Sequence, residues 1–313
     1  MTERRPILKP RALAPDARLA LIAPASSAKE ERLTAGIAAL QNRGFRVTPA
    51  THANGKHAPY FSASTENRLR DFTESFTNPE ADAIFCIRGG YGSNYLLPDL
   101  PLSQIQNHPK PFFGYSDLTA IQTWLLDQTG LVAFHGPMVA ADFYRPGGID
   151  EPSFHAAISG GLVHAGPEQG LRTLKPGAAR GVIYGGCLSI LTASLGTPYA
   201  PQTEGKLLFL EDVAAKPYQV DRMLRQMILA GKFEGVKGFI FGEMLDCISP
   251  GAEPDLIEHV ILDVLANFDV PIAFGLRSGH VSHGNVTLPF GIQAELQLTA
   301  EPALQYLEPA VVV

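Results

Sequence analysis

Apolar runs and helical patterns alternate along the first 135 residues of the chain. Each apolar run is long enough for one buried strand, and the stretches between the runs place apolar residues at helical spacing. Because the runs are continuously apolar, they predict parallel strands in a sheet that helices cover on both faces. The predicted strands are 18–23, 45–49, 81–87, a short run ending at Gly114 and 130–134, and the predicted helices are 29–43, 66–78 and one that begins after Asp117.

The pattern changes after residue 145. Residues 146–180 are rich in glycine and proline and only weakly periodic, which predicts a linker or crossover. From residue 181 strands and helices alternate again, and the last segment predicts short strands or hairpins. We therefore expect an N-terminal α/β domain over 1–145 and a C-terminal domain over 181–313. The strands predicted in this second half are 206–210, 238–241 and 271–274, and the helices are 220–230 and 255–267.

The composition is that of a globular protein, because the 313 residues are 45% apolar and 18% charged, and the length suits two domains. A net charge of −6 without basic runs argues against nucleic-acid binding. No apolar run approaches the ~20 residues that a membrane span needs. Prolines and charges interrupt the basic N-terminus, so we predict no export signal and a cytoplasmic protein. The three cysteines, Cys86, Cys187 and Cys247, are then expected to be reduced thiols.

A serine stands at the turn between a predicted strand and a predicted helix, in the sequence Gly114-Tyr115-Ser116-Asp117. A nucleophile elbow has this order of elements, because the turn lifts the hydroxyl above the sheet while the N–H groups at the helix start can bind an oxyanion. The second glycine of the G-x-S-x-G pattern is missing, so the alternative is that Ser116 is a helix N-cap. The sequence leaves both roles open at this point.

A glycine-dense loop over residues 88–92 follows directly after the predicted strand at 81–87. Glycine allows positive φ angles and lets backbone N–H groups approach a ligand closely. The loop matches neither the dinucleotide fingerprint nor a P-loop, so phosphate binding is disfavoured. The remaining interpretations are a tight turn and an oxyanion hole, in which the Gly90 N–H would act together with the Asp117 N–H.

Two carboxylates and two histidines in the second half are candidates for catalysis. Glu211 and Asp212 follow the apolar run 206–210, where a carboxylate can orient an imidazole, and the sequence does not separate their roles. His280 and His283 lie in a glycine-bounded loop that suits proton transfer. Two histidines at this spacing can share a metal ion, but no third ligand occurs at a familiar spacing, so we expect no metal.

These residues combine in the chain order serine, glutamate, histidine. An acyl-transfer triad needs a nucleophile, a base that takes its proton and an acid that fixes the tautomer of the base. Ser116, His280 and Glu211 would fill these roles, and the Gly90 and Asp117 N–H groups would bind the oxyanion. His135 follows a predicted strand and either lines the same cleft or supports it from the interior.

The motifs resemble the LD-carboxypeptidases, a family of serine peptidases that includes murein tetrapeptide carboxypeptidases and microcin C self-immunity proteins. The resemblance extends over nearly the whole chain, from LIAPAS at 21–26 to TLPFG at 287–291. Several ordered motifs at plausible spacing make it specific. The motifs are IRGGYG at 87–92, GYSD at 114–117, GTP at 196–198, LFLED at 208–212, PY at 217–218 with DRML at 221–224, and GH at 279–280 leading to NVTLP at 285–289.

The resemblance implies a flavodoxin-like N-terminal α/β domain with a parallel sheet and a smaller, β-rich C-terminal α/β domain, with the active site between them. It also implies a triad of Ser116, Glu211 and His280, no metal or other cofactor, and a homodimer. Two departures from the family pattern bear on substrate preference. Cys187 stands where many members have asparagine, and the run around Ala215 lacks an acid that is often found there.

The resemblance favours hydrolysis of the L,D-peptide bond that releases terminal D-alanine from murein tetrapeptides, the small muropeptides of peptidoglycan recycling. Arg88 and Tyr91 are candidates for binding this substrate. A second hypothesis is a microcin C immunity-type amidase acting on peptidyl- or aminoacyl-nucleotides, but the sequence identifies no aromatic side chain to stack on the base. A third is a non-catalytic, two-lobed small-molecule binding protein, which has no use for a converging serine, glutamate and histidine.

Overall fold

The computed structural model describes residues 5–248, 251 and 253–313. Residues 1–4 of the predicted N-terminal domain, and residues 249, 250 and 252 of the predicted C-terminal domain, lie outside the described residues. The helices are α1 (Glu30–Asn42), α2 (Thr65–Thr77), α3 (Leu102–Asn107), α4 (Thr119–Trp124), α5 (Glu151–Ser159), α6 (Leu188–Ala193), α7 (Pro217–Leu229) and α8 (Leu256–Val264). The strands are β1 (Arg18–Ile22), β2 (Arg46–Pro49), β3 (Ala83–Cys86), β4 (Phe112–Gly114), β5 (Ala133–His135), β6 (His164–Ala165), β7 (Arg172–Lys175), β8 (Gly177–Cys187), β9 (Lys206–Glu211), β10 (Gly238–Gly242), β11 (Ile272–Leu276), β12 (Leu288–Phe290), β13 (Gln293–Leu298) and β14 (Ala303–Tyr306).

The first sheet contains the five strands predicted from the N-terminal apolar runs. They are parallel and lie in the order β2-β1-β3-β4-β5, which is the flavodoxin-like order. This confirms the predicted parallel-sheet fold. Ligands of such sheets bind at the carboxyl ends of the strands, where β3 leads into the glycine-dense loop and β4 leads to Ser116.

A sixth strand of this sheet comes from far along the chain. β12 pairs antiparallel with β5, with Leu288 opposite His135. A short strand was predicted in this region, but the pattern did not indicate that it joins the first sheet, because pairing between distant segments leaves no local signal.

The second sheet has eight strands in the order β6-β14-β13-β8-β9-β10-β11-β7. The central strands β8, β9, β10 and β11 are parallel, and the outer pairings are antiparallel. In the register of β8 and β9, Cys187 lies opposite Glu211. Cys187 and Glu211 are the last residues of their strands, so both lie at the carboxyl end of the parallel strands.

The glycine- and proline-rich segment 146–180 is not a structureless linker. It contains α5, β6, β7 and the start of β8, and β6 and β7 lie at opposite edges of the second sheet. The prediction missed these elements because the strands are two and four residues long, too short to show a period. The domain boundaries at 145 and 181 stay predictions.

Stacked aromatic rings fix the strands that carry the site. Phe85, Phe113 and Phe134 lie side by side on β3, β4 and β5, with ring centroids 4.3 and 4.7 Å apart, and all three are fully buried. Burying each ring contributes about 1.5–3 kcal/mol.

In the described part of the chain, no helix combines the length and apolar character that crossing a membrane requires.

Candidate active site

Ser116 occupies a strained turn between β4 and α4. Residues Ser116–Leu118 form a single turn of 3₁₀ helix, and Ser116 has a φ angle of +67°. A side chain in this left-handed region costs about 1–2 kcal/mol, and such strain persists where the surroundings impose it, often at active sites. The alternative role as an N-cap does not fit, because an N-cap has extended backbone angles, whereas Ser116 is left-handed and lies inside the turn, whose N-cap is Tyr115.

The glycine-dense loop packs directly against Ser116. A Cβ atom added at Gly89 would lie 2.7 Å from the Ser116 Cβ and 2.9 Å from its Oγ. Gly90 has a φ angle of +110°, and a Cβ atom there would lie 2.4 Å from the Ser26 Oγ. Only glycine fits both positions, so the backbone of the loop approaches the serine hydroxyl without a side chain between them.

Glu211 and His280 form a hydrogen-bonded pair. The Glu211 Oε2 accepts a hydrogen bond from the backbone N–H of His280 at 3.0 Å and lies 2.8 Å from its Nδ1. Glu211 is fully buried at the end of β9, whereas the His280 side chain is 18% exposed. Glu211 therefore holds the imidazole at its Nδ1, and the Nε2 remains available to a second partner.

The charges of this pair stabilise each other. Burial alone would raise the pKa of Glu211, but the His280 imidazole holds that pKa below its usual value. Burial alone would lower the pKa of His280, but the Glu211 carboxylate raises that pKa above its usual value. The Glu211 carboxylate thus stabilises the imidazolium that forms when His280 takes up a proton, which is the role of the acid beside an imidazole base.

The structure distinguishes the roles of the adjacent carboxylates Glu211 and Asp212, which the residue pattern alone did not separate. Asp212 accepts hydrogen bonds from the Ser189 N–H at 2.8 Å and the Val213 N–H at 2.9 Å, so it orders the backbone. Glu211 instead faces His280. Gly279 makes this possible, because its φ angle is +88° and a Cβ atom there would lie 2.6 Å from the Glu211 Cδ.

Contacts between the two sheets bring the Glu211–His280 pair to the serine turn. The Tyr115 ring, next to Ser116 in the chain, packs edge-on against the His280 ring with centroids 5.1 Å apart. The Thr119 Oγ1, at the start of α4, accepts a hydrogen bond from the Cys187 N–H at 3.0 Å. The serine turn and the carboxylate–imidazole pair therefore share one site, formed by loops from both sheets.

Three residues whose roles the sequence analysis did not predict hold the His280 loop. The Arg145 guanidinium donates hydrogen bonds to the Val281 carbonyl at 3.1 Å and the Ser282 carbonyl at 3.0 Å. Asp142, which is fully buried, lies 3.4 Å from the same guanidinium. Asn285 closes the loop with two hydrogen bonds to the Gly279 backbone. No motif could have revealed Arg145, since it lies 136 positions from Val281.

We expect Arg145→Ala to lower kcat by about 10-fold or more, because loss of the two hydrogen bonds frees the His280 loop and small displacements of a catalytic group are costly. Arg145→Lys retains one charged donor and should lose less. Steady-state kinetics of both variants on one substrate test this. A kcat for Arg145→Ala equal to that of the wild type, with the change confined to KM, would contradict a positioning role.

The other two candidate histidines, His135 and His283, make no hydrogen bond to the pair within the described residues. His135 is fully buried, its ring stacks on Phe290 at 5.2 Å, and burial lowers the pKa of His135 to about 4. His135 is therefore neutral near pH 7, and it supports the candidate site from the protein interior. His283 lies within hydrogen-bond distance of the Ser282 Oγ and lines a separate cavity with Arg277. In the described part of the chain, no cluster of three potential metal ligands contains both His280 and His283.

The two residues predicted to bind substrate lie beside the glycine-dense loop. The Arg88 guanidinium donates to the Ser27 carbonyl at 3.2 Å and is exposed. The Tyr91 N–H donates to the Ser26 Oγ at 3.2 Å, and the Tyr91 ring is 41% exposed. Its ring centroid lies 5.5 Å from that of Tyr60. Both side chains are thus available to a ligand that reaches this loop.

These elements define a class of protein: a two-sheet protein of the α/β class, with a serine at a strained strand-to-helix turn and a carboxylate–imidazole pair beside it. The chain belongs to the LD-carboxypeptidase family, since the N-terminal domain of that family matches residues 19–136 and its C-terminal domain matches residues 180–296. It is a serine-type carboxypeptidase, and the hypothesis of a non-catalytic binding protein is set aside.

Individual relatives cover almost the whole chain. The probable murein peptide carboxypeptidase of Bacillus subtilis is 34% identical over 95% of this chain and 93% of its own length. The crystal structure of an MccF-like protein from Bacillus anthracis matches with a TM-score of 0.89 and 26% identity, covering 96% of this chain and 99% of that one. A muramoyltetrapeptide carboxypeptidase from Oxalobacter formigenes matches with a TM-score of 0.82 and 28% identity, covering 93% and 98%.

Proposed function

We propose that the protein hydrolyses the L,D-peptide bond that releases terminal D-alanine from murein tetrapeptides, and that Ser116, His280 and Glu211 are its catalytic triad. The observation that carries this proposal is the Glu211–His280 hydrogen bond, 2.8 Å long, beside the strained turn that presents Ser116. The family of the chain and the names of its relatives support the substrate.

The reaction runs through an acyl-enzyme. Ser116 attacks the scissile carbonyl while His280 takes its proton, and His280 then protonates the leaving amine of D-alanine. Water repeats the cycle on the acyl-enzyme, with His280 again as the base. Glu211 stabilises the imidazolium without taking up its proton.

The N–H groups of Gly90 and Asp117 bind the oxyanion of the tetrahedral intermediate in this proposal. The Gly89 backbone lies against Ser116 with no side chain between them, Gly90 is the next residue of that loop, and Asp117 follows Ser116 in the turn. Donors fixed by the fold before the substrate arrives need no reorganisation when charge develops. The Arg88 guanidinium is the proposed partner of the terminal carboxylate of the substrate, because a planar guanidinium binds a carboxylate through two hydrogen bonds.

The protein acts as a cytoplasmic homodimer in this proposal, with its N-terminal domain in 1–145 and its C-terminal domain in 181–313. The cysteines Cys86, Cys187 and Cys247 are buried and unpaired, which fits a reducing compartment. The homodimer is what the family resemblance implies. Light scattering on the purified protein measures the assembly directly.

A second candidate activity is cleavage of aminoacyl-nucleotides, as in microcin immunity. The structure supplies an observation in its favour that the sequence did not. Tyr60, Tyr91 and Tyr95 expose about half of their surface and form one group beside the glycine-dense loop, where an aromatic ring can stack on a base. The candidate is therefore tested alongside the first.

We expect the enzyme to release D-alanine from a murein tetrapeptide about 10- to 100-fold faster than L-alanine from the same peptide ending in L-alanine, since the pocket must fit the configuration of the leaving residue. An aminoacyl-sulfamoyl adenosine is assayed in parallel, with products separated by chromatography. Turnover of only the adenosine compound would favour the second candidate. A chelator should leave the rate undiminished, because the triad uses no metal.

A further inference from the structure

Cys187 completes a cluster of three potential metal ligands with the proposed triad. One ligand atom each from Cys187, Glu211 and His280 lies within 4.8 Å of the other two. The register of β8 and β9 places Cys187 opposite Glu211, and the hydrogen bond to the Nδ1 of His280 fixes the third member. Three separate elements therefore converge on one point.

The donor set suits zinc. Thiolate, imidazole and carboxylate are the side chains that bind Zn²⁺ in proteins, at bond lengths of about 2.0–2.3 Å. Ligand atoms of a tetrahedral site then lie about 3–4 Å apart. The ligand atoms of the cluster all lie within 4.8 Å of one another, which is close to this spacing, and bound water or substrate can supply the fourth ligand.

One oxygen of this cluster makes no hydrogen bond to another described residue. Glu211 is fully buried, and its Oε1 has no hydrogen-bond partner within the described residues. Such an atom costs about 1–3 kcal/mol or more when it is charged. A cation beside it would remove this cost.

The surrounding charge is also negative. Cys187 lies opposite the Glu211 carboxylate in the strand register, and Asp212 follows Glu211 in the chain. Two neighbouring carboxylates attract a divalent cation. A bound metal ion deprotonates a coordinating thiol outright.

We propose that Cys187, Glu211 and His280 form an inhibitory binding site for Zn²⁺ within the catalytic centre. Zinc replaces the proton of the Cys187 thiol, which is released to solvent. The metal ion also coordinates the Glu211 carboxylate and the His280 imidazole. His280 can then no longer accept the proton of Ser116, so hydrolysis stops. The inhibition rests on the proposed function, whereas the binding does not.

A second group of possible ligands on the surface provides a contrast. Glu253, Asp255 and His259 also place ligand atoms within 4.8 Å of one another, but all three are exposed. Exposed acidic groups of this kind are solvated and carry no proposal. His259 is therefore a suitable position for a control.

The test measures zinc binding and inhibition separately. Zn²⁺ is titrated into the metal-free protein in competition with a chromophoric chelator, and Co²⁺ is titrated to record the absorption band of a cobalt–thiolate bond. We expect one site per chain, with a cobalt–thiolate band, and at least about tenfold weaker binding in Cys187→Ser. Cys247→Ser removes another buried thiol, and His259→Ala alters the surface group, so both should bind zinc as the wild type does.

Inhibition of D-alanine release is then compared with binding, each variant being normalised to its own metal-free rate. The zinc concentration for half-inhibition should rise at least about tenfold in Cys187→Ser and in Cys187→Asn. Equal zinc affinity in wild type and Cys187→Ser, or a cobalt complex without a thiolate band, would overturn the proposal. If the protein releases no D-alanine, the proposed function fails, but the binding data still decide the zinc site.

Discussion

Ser116→Ala should lower kcat for D-alanine release by about 10⁴-fold or more, leaving a weak residual rate. The variant removes the atom that forms the acyl-enzyme and leaves Glu211, His280 and the oxyanion donors in place. These groups still bind substrate, so KM should change far less than kcat. Release of D-alanine measured by a coupled oxidase assay gives both constants.

The strained backbone at Ser116 provides matched controls for this experiment. Alanine retains the Cβ atom at the φ angle of +67°, so the free energy of unfolding should stay near that of the wild type. Ser116→Gly also lacks the hydroxyl but relieves the strain, so it should be as inactive and up to about 1 kcal/mol more stable. Ser194→Ala, at the end of α6, should remain active. D-alanine release by Ser116→Ala at the wild-type rate would exclude Ser116 as the nucleophile.

The hydrophobic pattern predicted the regular elements because each of them follows one period. The run 206–210 became β9, and the helical pattern at 220–230 became α7. The hydrophobic pattern fails as a predictor where pairing with a distant strand determines the structure. β7 pairs with β11 across about a hundred residues, and β12 leaves its own half of the chain to pair with β5. No property of either segment alone carries that information.

The candidate site shows the same division. The strand-turn-helix order singled out Ser116, and a strand end singled out Glu211 together with Asp212. The residue pattern alone did not separate these two acids, whereas the family resemblance pointed to Glu211. The three-dimensional contacts separate them, because both stand at the same strand end and differ in which backbone groups they meet. Arg145 was not predicted, since its partners are carbonyl oxygens, which any residue provides.

Glu211→Gln should lower kcat/KM by about 10⁴-fold, the second largest effect that we expect. Both hydrogen bonds from His280 end on one oxygen, the Glu211 Oε2. If the amide oxygen of glutamine takes this place, the tautomer of His280 is retained, but the negative charge is lost and an NH₂ group is buried at the unpartnered position of Oε1. If the NH₂ group faces Nδ1 instead, it imposes the wrong tautomer. Either orientation removes stabilisation of the imidazolium.

The pH dependence of Glu211→Gln distinguishes loss of charge from simple misfolding. The base form of His280 is required, so kcat/KM of the wild type rises with pH through the pKa of His280, which the Glu211 carboxylate raises. Without that charge, burial lowers the pKa of His280, so the acid limb of the profile should move to lower pH while the plateau falls. Asp212→Asn is the matched control, because Asp212 does not hydrogen-bond His280 and should move the limb much less. An acid limb at the wild-type pH in active, folded Glu211→Gln would mean that another group sets the pKa of the base.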